Sequence, residues 1–424
     1  MKPLCIAALA ALFPPMAAGA SDFDKAFSDS TLRIDYMLSG KPGDVNIGLR
    51  HMHKWASWGG RKGHLKEAPY TGNGDITVTS LLGDTLYRNS FSTLFNEWLD
   101  LGDTTPSTCQ LPLLVPYPKG KVVVTTRLLD KYHKVVAEAT HTVDPADILI
   151  RNNQAPLLPH KYIRKGADAG THVGIAFMGE GYRQEDMGQF YIDAEQAVDA
   201  ILSHEPFKEL QERIDFIAIE TPSKDQGVSV PKKNEWKDTS FKSHYSTFYS
   251  DRYLTSPEVF AMYDALRGLP AQHIIVLVNT EEYGGGGIYN AYTLTSARHA
   301  TARPVVVHEF GHSFGGLTDE YFYEEEVMSD TYPTSVEPWE PNITTLVDFD
   351  SKWKGMIPAG TPMPTDPKDA DKYPVGLYEG GGYSFHGVYR PADNCRMRIN
   401  EIDAFCPVCQ AALKRIILFY TEED

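Results

Sequence analysis

The chain has 424 residues, of which 42% are hydrophobic and 23% are charged, a composition typical of a globular protein long enough for two domains. Its formal net charge of −16 at pH 7 argues against nucleic acid and anionic membrane surfaces as partners, because both are themselves negatively charged. No stretch of the sequence is basic enough to reverse this preference.

The first twenty residues, 1–20, have the three-part layout of a secretory signal peptide. Lys2 supplies a short positive region, residues 4–12 are apolar, and residues 18–20 form a small-residue cleavage site. The apolar stretch is too short to span a bilayer, and no later stretch of the sequence is long enough to do so. We therefore expect an exported protein, periplasmic, cell-surface or extracellular, that does not insert into a membrane.

Residues 22–155 alternate short β-type runs with turn signals, which predicts an N-terminal β-sandwich domain. The runs are β-branched or alternate polar with apolar residues, and they lie at 31–37, 76–81, 85–95, 121–130 and 135–143. The last two runs are predicted to form a hairpin. We expect this domain to support its neighbour or to contact the substrate or the cell surface. A proline-containing linker is predicted at 152–159.

Three histidines and two tryptophans lie close together in this part of the sequence: His51, His53, His64, Trp55 and Trp58. Residues two apart point to the same face of a strand, so His51 and His53 have the spacing of a ligand pair. However, no acidic residue or cysteine completes a metal-binding set with them. We therefore predict that the cluster lies at an interface between domains.

The second part of the chain, residues 160–424, alternates strand and helix patterns. Buried strands are predicted at 172–178, 213–220 and 273–279, and amphipathic helices are predicted at 189–203 and 257–267. This alternation predicts an α/β catalytic domain. Together with the β-rich first part, it predicts a multidomain α+β protein.

A His-Glu-x-x-His motif follows these elements. Residues four apart on a helix lie one turn apart on the same face, so His308 and His312 can bind one metal ion. Glu309 is placed to take a proton from a water held by Zn²⁺. A pair of glycines, Gly315 and Gly316, ends the predicted helix and lets the chain turn back toward the metal.

Asp319 is predicted to be the third metal ligand. In the longer pattern H-E-x-x-H-x-x-G-x-x-H the third ligand falls at Thr318, and threonine is a poor zinc ligand. Asp319 follows directly, and the paired glycines permit the slightly wider turn that brings its carboxylate to the metal. Glu320 is the next alternative, followed by an acidic run at 324–326.

These residues, with several later segments, resemble the IgA peptidase family of bacterial zinc metallopeptidases, which has a metzincin-like catalytic domain. The resemblance rests on residues 308–314, 316–321, 378–383, 389–391, 395–398 and 405–409. It covers residues 160–424 well and the earlier part more loosely. It implies zinc endopeptidase chemistry on an extended polypeptide and leaves open which protein is cut.

The resemblance to metzincin-like enzymes suggests roles for further residues. Met397 resembles the methionine of the turn that lies beneath the metal without binding it. Four glycines at 284–287 precede the metal-binding helix, where such enzymes have an edge strand that pairs with the substrate backbone; a flexible loop is the alternative. Among several tyrosines and a histidine, Tyr383 and Tyr389 are predicted to stabilise the oxyanion.

The cysteines allow two interpretations. In an exported protein, a disulfide from Cys395 to Cys406 or Cys409 is favoured. A structural zinc site made of these three cysteines and His386 is the alternative. Cys109 is expected to be free or buried.

Together these features predict a secreted zinc endopeptidase, in which His308, His312 and Asp319 hold zinc and Glu309 activates the attacking water. Two other functions are open from the sequence. One is a noncatalytic protein- or glycan-binding protein built on a protease-like domain, against which the intact Glu309 argues. The other is a zinc hydrolase acting on a nonpeptide bond, against which the predicted glycine-rich edge strand argues.

Overall fold

The computed structural model describes residues 21–102, 104–152, 155–323 and 331–422. The elements of the first part are α1 (Asp22–Ala26), β1 (Phe27–Lys41), β2 (Asp44–Trp55), β3 (Gly74–Ser80), β4 (Thr85–Phe91), α2 (Leu94–Asp100), β5 (Ser107–Pro118), β6 (Val122–Leu129), β7 (Val135–Val143) and β8 (Arg151–Asn152). The strands form two four-stranded sheets, ordered β5-β1-β2-β8 and β4-β3-β6-β7. Apolar residues of both sheets share one hydrophobic core.

The predicted hairpin is present as the antiparallel pair β6 and β7, but two long strands of this part were not predicted. Half of the residues of β2 are polar, and the apolar residues alternate only over Val45, Ile47 and Leu49, which are at least partly exposed. β5 contains Pro112 and Pro116, and the fold tolerates them because β5 lies at the edge of its sheet. The strand predicted at 85–95 ends at Phe91, because the side chain of Thr93 caps α2.

The elements of the second part are β9 (His160–Arg164), β10 (Val173–Glu180), α3 (Met187–Leu202), β11 (Ile214–Ile219), α4 (Val259–Leu266), β12 (His273–Val278), β13 (Gly285–Ile288), β14 (Tyr292–Ser296), α5 (Ala302–Ser313), β15 (Tyr378–Gly381), β16 (Ser384–Arg390) and α6 (Pro407–Thr421). A six-stranded sheet has the order β13-β14-β12-β10-β11-β9. Its four central strands are parallel, whereas β13 and β9 run antiparallel at the two edges.

Alternate residues of the central strand β10 enter two different cores, as the two-residue period of a strand requires. Ile175 and Phe177 pack with residues of α3, α5 and α6 on one face of the sheet. Ala176 and Met178 pack with residues of α4 on the other face. Helices therefore cover both faces of the sheet, which is the mixed α/β arrangement expected from the alternating pattern.

The two parts of the chain are packed against each other. Trp55 is buried in the core that contains α4. The buried guanidinium of Arg33 donates a hydrogen bond to Asp264 over 2.7 Å, and the ring of His64 stacks on that of Phe419 at 5.1 Å between ring centres. These contacts confirm that members of the histidine and tryptophan cluster lie at an interface.

The predicted signal peptide at 1–20 lies outside the described residues, and so do two residues of the predicted linker, 153 and 154. The domain limits of 22–155 and 160–424 remain predictions. None of the helices in the described part of the chain combines the length and the apolar character that crossing a bilayer requires.

Candidate metal centre

The helix α5 carries the His-Glu-x-x-His motif, and its neighbours explain where it begins and ends. Pro304 lies in its first turn, and the three valines that follow are buried. After Ser313 the chain reaches Gly316, whose φ of +59° belongs to the left-handed region that glycine adopts at little cost. The chain therefore reverses beside the helix and brings Asp319 back to the two histidines.

Three side-chain atoms converge at this point. Nε2 of His308 and Nε2 of His312 lie 3.1 Å apart, and Oδ1 of Asp319 lies 3.0 Å from the first and 3.4 Å from the second. Ligands about 2.0–2.1 Å from a tetrahedral zinc ion are separated from each other by roughly 3.3 Å. The spacing of these three atoms therefore fits one metal ion.

The hydrogen bonding of Asp319 also fits a cation. Its Oδ1 atom is buried and receives no hydrogen bond of acceptable geometry, although both imidazoles are close to it. A buried carboxylate oxygen without a partner is unfavourable unless a cation or a donor satisfies it. Of the third ligands considered from the sequence, the structure brings Asp319 to the histidines and turns Glu320 elsewhere. Residues 324–326 lie outside the described residues.

Each of the three groups is held by a second contact. Nδ1 of His308 lies 3.0 Å from the carbonyl oxygen of Arg396, and Nδ1 of His312 lies 2.6 Å from that of Leu317. When Nδ1 carries the proton and donates it to a carbonyl, Nε2 keeps its lone pair for a metal. The hydroxyl of Tyr383 donates a hydrogen bond to Oδ2 of Asp319.

The charges in this cluster are strongly coupled. Burial favours the neutral form of Asp319, but the two imidazoles outweigh it and hold the pKa of Asp319 well below its usual range. Burial likewise opposes charge on His312, yet Asp319 raises the pKa of His312 to about 9. Burial is the main cause of a raised pKa at Glu309. The cluster thus attracts positive charge, and Glu309 is more basic than an exposed carboxylate.

Strand β13 passes directly over α5, and its glycines are needed there. A Cβ atom on Gly285 would lie 2.8 Å from Cδ of Glu309, and one on Gly287 would lie 2.8 Å from Cβ of His312. Real side chains do not approach so closely, so any larger residue must displace part of the centre. The glycine-rich segment is therefore an edge strand rather than a flexible loop.

The outer side of β13 is partly occupied. The carbonyl oxygen of Gly285 accepts a hydrogen bond of 3.3 Å from the amide of Leu254. The amide of Gly285 donates a hydrogen bond of 3.4 Å to the carbonyl oxygen of Arg252. Alternate residues of an antiparallel edge strand direct their backbone groups outward, so those of Gly287 face the same way. Within the described residues, Gly287 has no backbone hydrogen bond on that side.

The centre opens into a cleft of about 1200 Å³ that both parts of the chain line. Glu97 of α2 faces the cleft and accepts a hydrogen bond of 2.6 Å from the hydroxyl of Tyr253. The sequence did not predict either residue as part of the site. No local pattern marks them, because their position depends on how the first part of the chain packs on the second.

The other predicted site residues take different positions. Tyr383 lines the cleft, whereas Tyr389 is not among the lining residues. Tyr389 packs against the main core, and its backbone pairs with Thr344, so its position gives no support to a role at the oxyanion. Met397 is fully buried, and a Cβ atom on Gly311 of α5 would lie 2.7 Å from its sulfur, which places this methionine under the metal-binding helix.

The predicted disulfide is not formed, since Cys395, Cys406 and Cys409 are free thiols. His386 is exposed and lies 3.3 Å from Glu379, so it does not complete a site with these cysteines. Their fourth neighbour is instead Glu320, which the sequence offered only as a ligand of the first metal.

Comparison with known families defines the class of this protein as a peptidase. A family model described as IgA Peptidase M64 matches residues 162–374 and 367–417, which is more than half of the chain. A second model, described as Peptidase M64 N-terminus, matches residues 22–139. The chain belongs to the IgA peptidase M64 family. A comparison with curated proteins finds no match.

Proposed function

We propose that this protein is an exported, zinc-dependent endopeptidase with a metzincin-like centre, and that its first part is a supporting β-sandwich. The observation that carries the proposal is the convergence of His308, His312 and Asp319 beside Glu309 in an open cleft. Membership of a peptidase family supports it. The neighbouring Met397 beneath α5 supports the metzincin-like assignment.

In this proposal the two histidines and Asp319 hold the metal. Zinc bound there would acidify a water and polarise the scissile carbonyl group. Glu309 accepts the proton of the attacking water and delivers it to the departing amine, a role that suits its raised pKa. Tyr383 lines the cleft and orients Asp319 through its hydroxyl, and we propose that it also meets the oxyanion.

The cleft favours a polypeptide over a small molecule. Its volume of about 1200 Å³ exceeds that of common small-molecule pockets, which hold about 300–1000 Å³. The outward backbone groups of Gly287 offer a place where an extended chain can pair with β13. Residues 252–254 are already hydrogen-bonded to Gly285, so a substrate can pair only with the other end of β13. We therefore propose that the substrate lies across the Gly287 end.

The purified chain is expected to contain zinc and to cleave members of a broad peptide library. Removing the metal with a chelator should abolish cleavage, and adding zinc back should restore it, because the carboxylate of Glu309 is too weak a base to deprotonate an unbound water. Metal content and cleavage are measured on the same preparation. A folded, zinc-loaded chain that cleaves no peptide would instead favour the noncatalytic binding protein.

Substituting Gly285→Ala tests the close approach of β13 to Glu309 of α5. The added methyl group must displace the flexible side chain of Glu309, so we expect kcat to fall roughly 10- to 100-fold with zinc retained, since misplacing a catalytic group by about 1 Å has an effect of that order. Gly188→Ala in α3 is the control, because a Cβ atom there meets nothing within 4 Å. Equal losses in both variants would argue against the proposed contact.

A further inference from the structure

A second cluster of potential ligands lies behind the candidate metal centre. It consists of Glu320, Cys395, Cys406 and Cys409, whose ligand atoms all lie within 4.8 Å of one another. All four residues are buried, and the most exposed of them, Cys406, shows only 3% of its surface. The members come from three separate segments of the chain, so their convergence is a property of the fold.

The distances suit a metal ion. Sγ of Cys395 and Sγ of Cys409 are 3.8 Å apart. Two thiolates bound at about 2.3 Å to a tetrahedral zinc ion are separated by roughly 3.8 Å, whereas a disulfide requires about 2.05 Å. Three cysteines with one carboxylate are also a suitable ligand set for zinc, which accepts both sulfur and oxygen.

The surroundings of Glu320 independently indicate a bound cation. Oε1 of Glu320 lies 3.1 Å from Sγ of Cys409 and accepts a hydrogen bond of 3.0 Å from Asn342. Its other oxygen, Oε2, is fully buried and has no hydrogen-bond partner. Within the described ranges, no lysine or arginine side chain hydrogen-bonds to any member of the cluster. The guanidinium of Arg390 acts on Glu320 only through space, because its own hydrogen bonds go to Asp393 and to backbone carbonyl groups. A cation among the four ligands would supply the direct positive partner that this buried acid lacks.

Backbone amides are arranged as they would be around bound thiolates. The amides of Met397 and Cys406 point to Sγ of Cys395 at 3.5 and 3.3 Å, and that of Cys409 points to Sγ of Cys406 at 3.5 Å. Cys406 is also the N-cap residue of α6, where the helix dipole favours negative charge. Such contacts stabilise the deprotonated sulfur that a metal requires.

We propose that Glu320, Cys395, Cys406 and Cys409 bind a second zinc ion with a structural role. Four protein ligands fill a tetrahedral site and leave no position for water or substrate, which is the character of a structural zinc site. This proposal does not depend on the peptidase mechanism. It also replaces the sequence-based ligand set, in which His386 was the fourth ligand.

A metal ion in the second site would fix the positions of the chain segments that carry Asp319 and the carbonyl oxygen of Arg396. Glu320 follows Asp319 directly, and its amide donates a hydrogen bond of 2.9 Å to the carbonyl oxygen of Met397. Arg396, whose carbonyl oxygen contacts His308, lies between Cys395 and Met397. An ion bound by Glu320 and the cysteines would therefore join the segment after α5, the turn that contains Met397 and the start of α6.

The test begins with a full-length variant that lacks the first site, His308→Ala with His312→Ala. We expect wild-type protein to hold about two zinc ions per chain and this double variant to hold about one. X-ray absorption of the double variant should show sulfur neighbours at about 2.3 Å from zinc. Absence of zinc from the folded double variant, or a shell made only of nitrogen and oxygen, would overturn the proposal.

Cysteine variants and thiol counting provide the controls. Adding Cys409→Ser to the double variant should remove the remaining zinc, whereas Cys109→Ser should leave it, because Cys109 lies outside the cluster. If Cys409→Ser does not fold, the absorption measurement on the double variant still decides.

Unfolding with a chelator and no reductant should expose all three cluster cysteines as reactive thiols. Finding two of them unreactive until reduced would show a disulfide and reject the site.

Discussion

Replacing Glu309 by glutamine is expected to lower kcat/KM by about 10²- to 10⁴-fold while leaving the zinc content unchanged. Glutamine has the shape of glutamate, so it fills the space beneath Gly285 without a new clash. It cannot accept a proton at neutral pH, and the general base is therefore lost. Cleavage of a library peptide and metal content, measured side by side, check this expectation.

The result separates the two functions that the fold permits. A binding protein with a protease-like domain would retain its partner and show no change on Glu309→Gln. Glu340→Gln is a suitable control, since Glu340 is a buried carboxylate that lines the same cleft and is hydrogen-bonded to Tyr332, but is not in the group that could hold the metal. Comparable cleavage by the Glu309 variant and the wild type would remove Glu309 from the mechanism.

The metal-binding helix was predictable because its signal is local. The spacing of His308 and His312 has a structural meaning on any helix, and the paired glycines that follow mark its end. Three of the four central strands of the six-stranded sheet, β10, β11 and β12, were also predictable, since they are mostly apolar. The strand β2 was not, although it pairs with β1 across a tight turn at residues 42–43, because half of its residues are polar and all but Trp55 are at least partly exposed.

The contributions to the site that come from elsewhere in the fold were less predictable. Glu97 and Tyr253 reach the cleft only after the two parts of the chain pack together. Tyr383 and Tyr389 are equally plausible in the sequence, yet only Tyr383 lines the cleft. The reason is that Tyr383 lies in the turn between β15 and β16, whereas Tyr389 lies within β16 and pairs with Thr344.

The pair Asp319 and Glu320 shows most clearly which part of the site the sequence could not predict. The sequence ranks the two as alternatives for one site, because both are acidic and both follow the same turn. In the structure their side chains diverge: Asp319 reaches the histidines, and Glu320 reaches Cys409. That choice depends on cysteines that follow much later in the sequence, so no pattern around the motif specifies it.

Substituting Asp319→Ala is therefore expected to remove the first zinc ion and abolish cleavage, whereas Glu340→Gln leaves both properties close to wild type. Loss of ligand-supporting groups typically weakens metal binding by about 10- to 100-fold, and loss of the ligand itself should cost at least ~100-fold. The physical reason is the buried Oδ1 of Asp319, an anionic atom that lies within 3.4 Å of both imidazoles. Zinc affinity, measured by competition with a chelator, checks the change.

The same variant decides between the two acidic neighbours. If Asp319→Ala keeps its zinc at the histidines, then Asp319 is not the ligand. Glu320 would have to rotate away from Asn342 and Cys409 to replace it, breaking two contacts of 3.0 and 3.1 Å. We expect instead that the Asp319 variant keeps one zinc ion, bound among the cysteines. The metal count per chain thus reports on each site separately, because the two neighbouring carboxylates serve different ions.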